Sequence, residues 1–302
     1  MKFSIPKQAR CDNRSIVTKG PNPRDWIVGA FPADWSIHSF HFFVNWTETP
    51  PRLGDQIWNT RLVSLSPEES PETIDPGAVL RDFLLSPFKE EYLKLRRLCS
   101  SYQQVVRTIV LPELPASRIN DNTPIWLIWA GEDEELSCKA TSLKALKCGI
   151  QKYSGGAVKI GSKGLAFGTS VIECALSHTD AAFPGDADAV VFDDAGVVRC
   201  LIEFKKHTLI DDIGNHLVTR YYPYPDARKY RRLEALVAHY RLRSKVPFIV
   251  FYYSTRVNVI RVQVIEELTP SKVMIRSDSG NMDIGGLTPA KVASIVSRYI
   301  QA

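Results

Sequence analysis

The order of hydrophobic and polar positions predicts that strands and helices alternate through the first half of the chain. Strands are predicted over 36–46, 57–65 and 124–130, and helices over 78–84, 88–110 and 143–152. Residues 1–35, rich in proline and asparagine, and the polar, proline-rich stretch 66–77 are expected to be irregular. The first half is therefore predicted to be an α+β region.

The second half predicts the order helix, strand, strand, helix, strand. These elements are a short helix around Glu173, strands over 184–193 and 200–206, a helix over 226–241 opened by Asp226, and an apolar strand over 246–254. Two more strands are predicted over 258–265 and 272–275, and Thr288 and Pro289 open a last helix. Because the glycine-rich stretch 154–164 separates the halves, two regions are predicted, 1–153 and 154–302.

The two adjacent strands of the second half carry the candidate chemistry. They are joined by the turn 194–196, and the second contains Glu203 and Lys205 in an otherwise apolar run. Side chains alternate along a strand, so these two project from the same side, and Asp188 on the neighbouring strand is close enough to join them. Two carboxylates and an ammonium group on one face are costly unless a divalent cation or a ligand compensates them.

The spacing of Pro184, Asp186 or Asp188, and Glu203-Phe204-Lys205 resembles the PD-(D/E)XK nuclease superfamily. The resemblance implies a restriction-endonuclease-like α/β fold, with a mixed sheet flanked by helices. The superfamily also has an acidic residue on a helix before the first motif strand, and Glu173 fits that place. Its core has three strands between the two helices, whereas this sequence shows two.

The resemblance implies that Asp188, Glu203 and the backbone carbonyl of Phe204 bind Mg²⁺, for which Mn²⁺ can substitute. Lys205 would hold or deprotonate the attacking water, and Glu173 would complete a second, weaker metal site. Asp186 competes with Asp188 for the metal, and Asp188 is preferred because Gly185-Asp186 resembles the turn that enters the strand.

The reaction that the resemblance implies is hydrolysis of a phosphodiester bond, and the expected substrate is DNA. The leading role is that of an endonuclease in restriction or anti-phage defence, and repair or recombination is the alternative. A different class stays open, namely a non-catalytic nucleic-acid-binding or assembly protein on a degenerate nuclease fold. Residues 1–153 are expected to recognise the substrate or dock a partner, and an additional subunit or a homodimer stays open.

Positive charge concentrates just after the motif strands. The net charge is only +5, but ten Lys or Arg residues stand against four Asp or Glu residues between Lys205 and Lys245. A basic helix beside a phosphodiester-cleaving site favours phosphate contacts. The residues expected to make them are Lys206, Arg228, Arg231 and Arg232. Lys229 points nearer to Leu233 by helical spacing, so it is a less consistent candidate.

The remaining features set expectations about compartment and metals. Six cysteines without a Cys-x-x-Cys pair predict buried free thiols, and the histidines, including His207 and His216, lack ligand-like spacing, so no zinc site is predicted. The N-terminus lacks the apolar core of a signal peptide, and no apolar run is long enough to span a bilayer. A cytoplasmic location with no membrane partner is therefore expected.

Overall fold

The computed structural model describes residues 1–15, 23–66, 69–131, 133–160, 164–224, 227–269, 271–286 and 288–300. The predicted helix cap Asp226 and residues 161–163 of the predicted boundary lie outside these ranges. No helix within them has the length and apolarity needed to cross a membrane.

The described residues form strands and α-helices in the following order along the chain. The strands are β1 (Lys2–Ser4), β2 (Ala9–Arg10), β3 (Ser36–Asn45), β4 (Arg52–Ser64), β5 (Val105–Pro112), β6 (Pro124–Ala130), β7 (Leu136–Ser142), β8 (Phe167–Gly168), β9 (Gly185–Phe192), β10 (Val198–His207), β11 (Phe248–Ser254), β12 (Val259–Leu268), β13 (Val273–Asp278) and β14 (Met282–Asp283). The helices are α1 (Pro23–Ile27), α2 (Pro76–Leu84), α3 (Phe88–Ser100), α4 (Leu143–Tyr153), α5 (Val171–Leu176), α6 (Val218–Tyr221), α7 (Ala227–Arg241) and α8 (Pro289–Ile300).

The chain divides into two compact units that are not continuous in sequence. The first contains Met1–Thr18 and Phe40–Gly185, and the second contains Lys19–Ser39 and Asp186–Ala302. These bounds differ from the predicted boundary near residue 154. The physical reason is that the early segment buries Trp26 in the apolar core of the second unit, a contact between distant residues that local composition does not reveal. The roles assigned to residues 1–153 and 154–302 stay predictions.

In the first unit, strands pair mostly antiparallel and helices flank them. β4 pairs with β5 in parallel. β5 then pairs antiparallel with β6, β6 pairs antiparallel with β7, and β1 pairs antiparallel with the end of β4. The core includes Trp58, Ile109 and Ile125 from these strands and Leu146 from α4. The strands predicted over 36–46, 57–65 and 124–130 and the helix over 143–152 are thereby confirmed.

The helix predicted over 88–110 is wrong in its second half. α3 ends at Ser100, and Gln103 has a φ of 59°, in the left-handed region that a continuing helix excludes. The chain then enters β5, where Val105, Val106 and Ile109 are β-branched and suit an extended strand. A short apolar run fits the residue period of a helix as well as that of a strand, and here the β-branched residues favour the strand.

The predicted order of elements around the motif is confirmed as α5, β9, β10, α7 and β11, although α5 belongs to the first unit and the others lie mainly in the second. β9 and β10 form an antiparallel hairpin, β10 pairs parallel with β11, and β12 and β13 continue the sheet antiparallel. Gly196 permits the tight turn between β9 and β10 because its φ is +77°. The unit is thus a mixed, mostly antiparallel sheet flanked by helices.

The two faces of this sheet carry different helices. One face packs with Trp26 and with Val292 and Val296 of α8 in an apolar core that also contains Ile202. The opposite face is covered by α7, whose Tyr240 packs edge-on against the ring of Phe192, with the ring centroids 6.3 Å apart. The sheet is therefore sandwiched between two helical layers. The motif residues that alternate away from Ile202 face the α7 layer.

The prediction that all six cysteines are free is wrong for one pair. Cys11 and Cys174 are joined by a disulfide across a sequence separation of 163 residues, with Cα atoms 5.4 Å apart. Cys99 and Cys200 are buried free thiols, as expected, and Cys148 is exposed. Long-range pairing brought Cys11 to α5, and the spacing of cysteines in the sequence does not contain that information.

Removing the disulfide is expected to destabilise the first unit. Cross-linking such distant positions restricts the unfolded chain, so Cys174→Ser should lower the free energy of unfolding by about 2–4 kcal/mol. Thermal melts without reductant measure the loss. Cys148→Ser is the matched control and should melt like the wild type. If reductant and Cys174→Ser both left the melting temperature unchanged, the two sulfurs would not be bonded.

Candidate active site

Asp188 lies where the hairpin strands stop pairing through their main chains. The last described pair of residues is Ala189 with Ile202, and beyond it the carboxylate of Asp188 accepts a hydrogen bond from the N–H of Phe204 at 2.8 Å. Ser39 donates from its hydroxyl to the carbonyl of Asp188 at 2.5 Å. The carboxylate thus replaces a main-chain acceptor and is held beside β10.

Glu203 is a carboxylate without exposed surface. Its relative exposure is 0%, and its Oε2 atom has no hydrogen-bond partner among the described residues. Oε1 lies 2.6 Å from Nζ of Lys229 and 3.7 Å from Nζ of Lys205. The shorter contact is a close ion pair. One oxygen of a buried anion therefore has no polar partner in this part of the chain, which is costly unless a ligand satisfies it.

The pKa values at the site show an excess of negative charge. Burial raises the pKa of Asp188 well above its usual range, and the charges of Glu203 and Asp186 raise it further. Lys229 and the Phe204 N–H offset this only in part. Burial acts to lower the pKa of Lys229, but the carboxylates of Asp186, Glu203 and Asp188 hold it well above its ordinary value. A divalent cation would complete this charge balance.

The main chain of Phe204 offers a further oxygen on the same side. In a strand, the N–H and C=O of one residue point the same way, and the Phe204 N–H points to Asp188. Its ring lies on the opposite face, packed against Phe251 with centroids 5.9 Å apart. The carbonyl of Phe204 therefore points to the β9 side of β10, where Asp188 lies, and its role as a metal ligand stays a prediction.

Lys205 is held at the same face by α7. Its Nζ lies 5.2 Å from the ring centroid of Tyr230, a cation–π distance, and its side chain is 28% exposed. The predicted arrangement of Glu203 and Lys205 on one strand face is confirmed. The ammonium group remains within reach of solvent, where a water or a phosphate could contact it.

Asp186 is the exposed neighbour of these groups at the start of β9. Its charge acts on Lys229 more strongly than that of Glu203 or Asp188 does, so it belongs to the same electrostatic cluster. The geometry that favours Asp188 as the metal ligand is its bond to the Phe204 N–H. The choice between the two aspartates stays a prediction.

Glu173 has a local role in the first unit. It lies in the first turn of α5, where its carboxylate accepts hydrogen bonds from the N–H of Thr169 at 2.5 Å and from the hydroxyl of Thr169 at 2.7 Å. The Ser170 hydroxyl accepts in turn from the Glu173 N–H at 3.0 Å. This reciprocal capping explains the carboxylate at that position by helix stability alone. Its catalytic role stays a prediction.

Of the predicted phosphate-binding residues, Arg228 and Arg232 form a pair on α7. Burial and the charge of Arg228 together lower the pKa of Arg232 to about 10, against the opposing charge of Asp186. Burial also lowers the pKa of Lys206. Arg231 is exposed, and its charge acts on Tyr222 instead. The structure therefore separates Arg231 from the pair that lies near the carboxylates.

Lys229 is the site residue that sequence reasoning undervalued. Helical spacing directs it toward Leu233, one turn on, and therefore makes it a less consistent phosphate contact than its neighbours. That spacing was the signal, because Leu233 is buried against the sheet and the same direction brings Lys229 to Glu203.

Comparisons with models of protein families, with curated proteins and with solved structures found no match to this chain.

Neutralising Asp188 is expected to stabilise the metal-free protein. The pKa of Asp188 is raised on folding. The ionised carboxylate therefore lowers the free energy of unfolding by a growing amount as the pH rises above the ordinary aspartate pKa of about 4. Asp188→Asn should therefore raise the melting temperature in EDTA at pH 8 by roughly 2–5 °C and give no gain below about pH 4.

The control for this melt is Asp194→Asn, since Asp194 lies exposed in the turn of the same hairpin. Added Mg²⁺ should raise the melting temperature of the wild type and leave that of Asp188→Asn unchanged. An Asp188→Asn melting temperature at or below the wild type at pH 8 in EDTA would contradict the burial argument.

Proposed function

We propose that this chain is a Mg²⁺-dependent nuclease of the PD-(D/E)XK type, which hydrolyses phosphodiester bonds on a restriction-endonuclease-like sheet. The observation that carries the proposal is the buried Glu203 carboxylate, with one oxygen unpartnered among the described residues, beside Asp188 and Lys205. DNA is the proposed substrate, and an endonuclease in restriction or anti-phage defence is the leading role. Repair or recombination is the alternative role.

The donor set fits Mg²⁺. Asp188, Glu203 and the Phe204 carbonyl offer oxygen atoms, which this hard cation prefers, and their excess negative charge favours a divalent ion. The same set fits Mn²⁺. When bound, the ion would polarise the scissile phosphate and lower the pKa of an attacking water. The chain supplies two carboxylates and a carbonyl to hold it, and no nitrogen or sulfur ligand is needed.

The lysines supply positive charge and proton handling. Lys205, near Glu203 and partly open to solvent, would hold the attacking water and stabilise charge that develops on the phosphate. Lys229, with its strongly raised pKa, stays protonated and would fix the orientation of Glu203. Arg228 and Arg232 would contact neighbouring phosphates and position the strand to be cut.

A second candidate is a nucleic-acid-binding or assembly protein on a degenerate nuclease fold. The observation that favours it is the 2.6 Å ion pair between Lys229 and Glu203, which already neutralises one carboxylate. If the Lys229–Glu203 pair were purely structural, the chain would cleave nothing with any divalent ion but would still bind nucleic acid. The two candidates differ in one measurement, namely Mg²⁺-dependent cleavage by the purified chain.

Removing the proposed ligands is expected to abolish cleavage. Asp188→Ala, Glu203→Ala and Lys205→Ala should each lower the rate on circular plasmid by about 10²-fold or more, because each removes metal binding or charge stabilisation. The assay includes linear, single-stranded and RNA substrates, with Mg²⁺, Mn²⁺, Ca²⁺ or EDTA. Mg²⁺ and Mn²⁺ should support cleavage, and Ca²⁺ should permit binding with little turnover.

Two substitutions serve as matched controls. Asp194→Ala removes an exposed carboxylate from the same hairpin, and Lys272→Ala removes an exposed lysine, so both should cleave like the wild type. Full activity in Glu203→Ala or Lys205→Ala would remove the nuclease proposal. An inactive Asp186→Ala variant together with an active Asp188→Ala variant would move the metal ligand to Asp186.

The basic pair on α7 is expected to bind phosphates whatever the base sequence. The double variant Arg228→Ala, Arg232→Ala should weaken DNA binding and make the slope of log affinity against log salt shallower by about two units. Arg231→Ala removes an exposed charge from the same helix and should change both quantities less. Binding measured in Ca²⁺ at several salt concentrations tests this. Unchanged affinity and salt slope in the double variant would mean that this face of α7 is exposed to solvent and makes no phosphate contact.

A further inference from the structure

Two histidines and an aspartate converge where β10 ends, although their spacing in the sequence gave no sign of it. His207 is the last residue of β10, Asp211 lies in the loop that follows, and His216 ends a short 3-10 helix, Ile213–His216. Nε2 of His216 lies 2.6 Å from one carboxylate oxygen of Asp211, and Nε2 of His207 lies 3.5 Å from the other. One ligand atom from each residue falls within 4.8 Å of the other two.

We propose that His207, Asp211 and His216 bind a divalent transition-metal ion, for which Zn²⁺ is the reference. Two imidazole nitrogens and a carboxylate form a donor set that suits Zn²⁺ and its neighbours better than Mg²⁺. Bonds of about 2.0–2.1 Å in a tetrahedral site place donor atoms roughly 3.3 Å apart. The nitrogens lie 2.6 Å and 3.5 Å from the two oxygens of Asp211, and one ligand atom from each residue lies within 4.8 Å of the other two, so side-chain adjustment would bring the three donors to that spacing.

The orientation of His216 supports this assignment independently. Its Nδ1 lies 2.6 Å from the hydroxyl of Tyr221, and the two rings stack. With the ion bound, Nδ1 would carry the proton and donate a hydrogen bond to the tyrosine oxygen, which leaves the lone pair of Nε2 for the metal. Metal-binding histidines are commonly oriented in this way by a hydrogen bond at the other nitrogen.

His207 is the buried member of the set. Its side chain is 5% exposed, and Nε2 also lies 2.8 Å from the main-chain oxygen of Asp211. Coordination would replace this hydrogen bond by a bond to the metal. Because strand side chains alternate, His207 shares a face of β10 with Glu203 and Lys205, so the proposed ion would lie on the same side of the sheet.

A cavity gives the ion a place for a further ligand. His207 and His216 line a cavity of about 370 Å³ together with Lys205, Lys206 and Tyr221. Three protein ligands leave the fourth position of a tetrahedral ion open, and the cavity can supply a water or a phosphate oxygen there. The ion would also fix the loop after β10 to the end of that strand. This site is distinct from the proposed Mg²⁺ site, because it uses none of the same ligands.

Metal binding by the full chain tests the proposal without any cleavage measurement. After treatment with EDTA and dialysis, isothermal titration with Zn²⁺ should give one saturable site, and Co²⁺ should give visible absorption bands typical of low-coordinate nitrogen and oxygen ligation. His216→Ala and Asp211→Asn should weaken Zn²⁺ binding at least about ten-fold. Tyr221→Phe, which leaves every ligand in place, should weaken it about ten-fold through the lost hydrogen bond.

Two controls separate this site from others. His239→Ala removes a histidine from α7 and should bind Zn²⁺ like the wild type. Asp188→Ala should also retain the Zn²⁺ site, whatever its effect on cleavage, so failure of the nuclease proposal would leave this one standing. Circular dichroism confirms that each variant is folded, and Asp211→Asn and Tyr221→Phe decide the outcome if His216→Ala does not fold. Absence of saturable Zn²⁺ binding, equal binding by the folded variants, or loss of binding in Asp188→Ala would overturn the proposal.

Discussion

Keeping a glutamate without exposed surface inside an apolar layer is the constraint that organises the second unit. An isolated charge in such surroundings costs several kcal/mol, so Glu203 requires a cation at a fixed place. α7 supplies it through Lys229, and the same helix buries Leu233 and Tyr240 against the sheet. The apolar packing that holds the helix and the ion pair that neutralises the site therefore depend on each other. A shift of α7 along the sheet would leave the carboxylate uncompensated.

The hairpin shows how the chain creates a polar site in a sheet. Where main-chain pairing stops, the Asp188 carboxylate accepts the next N–H of β10, that of Phe204, and so satisfies this donor. This replacement of a main-chain acceptor by a side chain leaves the Asp188 carboxylate next to Glu203, and burial raises the pKa of Asp188. The arrangement sacrifices some stability to hold two carboxylates together. Such local cost is common where a fold keeps groups ready for a ligand.

The sequence predicts local features of this chain well because short-range periodicity and strand alternation control them. The common face of Glu203 and Lys205 follows from alternation alone, and the strand over 124–130 follows from its apolar run. The second half of the helix predicted over 88–110 was wrong because its valine-rich run fits both periods. Contacts between distant residues could not be predicted from one sequence. These include the Cys11–Cys174 bond and the meeting of His207 with His216, each of which depends on loops and pairings that spacing does not encode.

The discontinuous division of the chain has a consequence for its synthesis. The segment Lys19–Ser39 leaves the ribosome well before Asp186–Ala302, yet most buried partners of Trp26 and Ile27 in their apolar core lie in that later stretch. At typical elongation speeds, the nascent segment waits on the order of ten seconds or more with a large aromatic side chain uncovered. A fragment that begins at residue 154 would meet the opposite problem, since its sheet would lack the indole that completes the core.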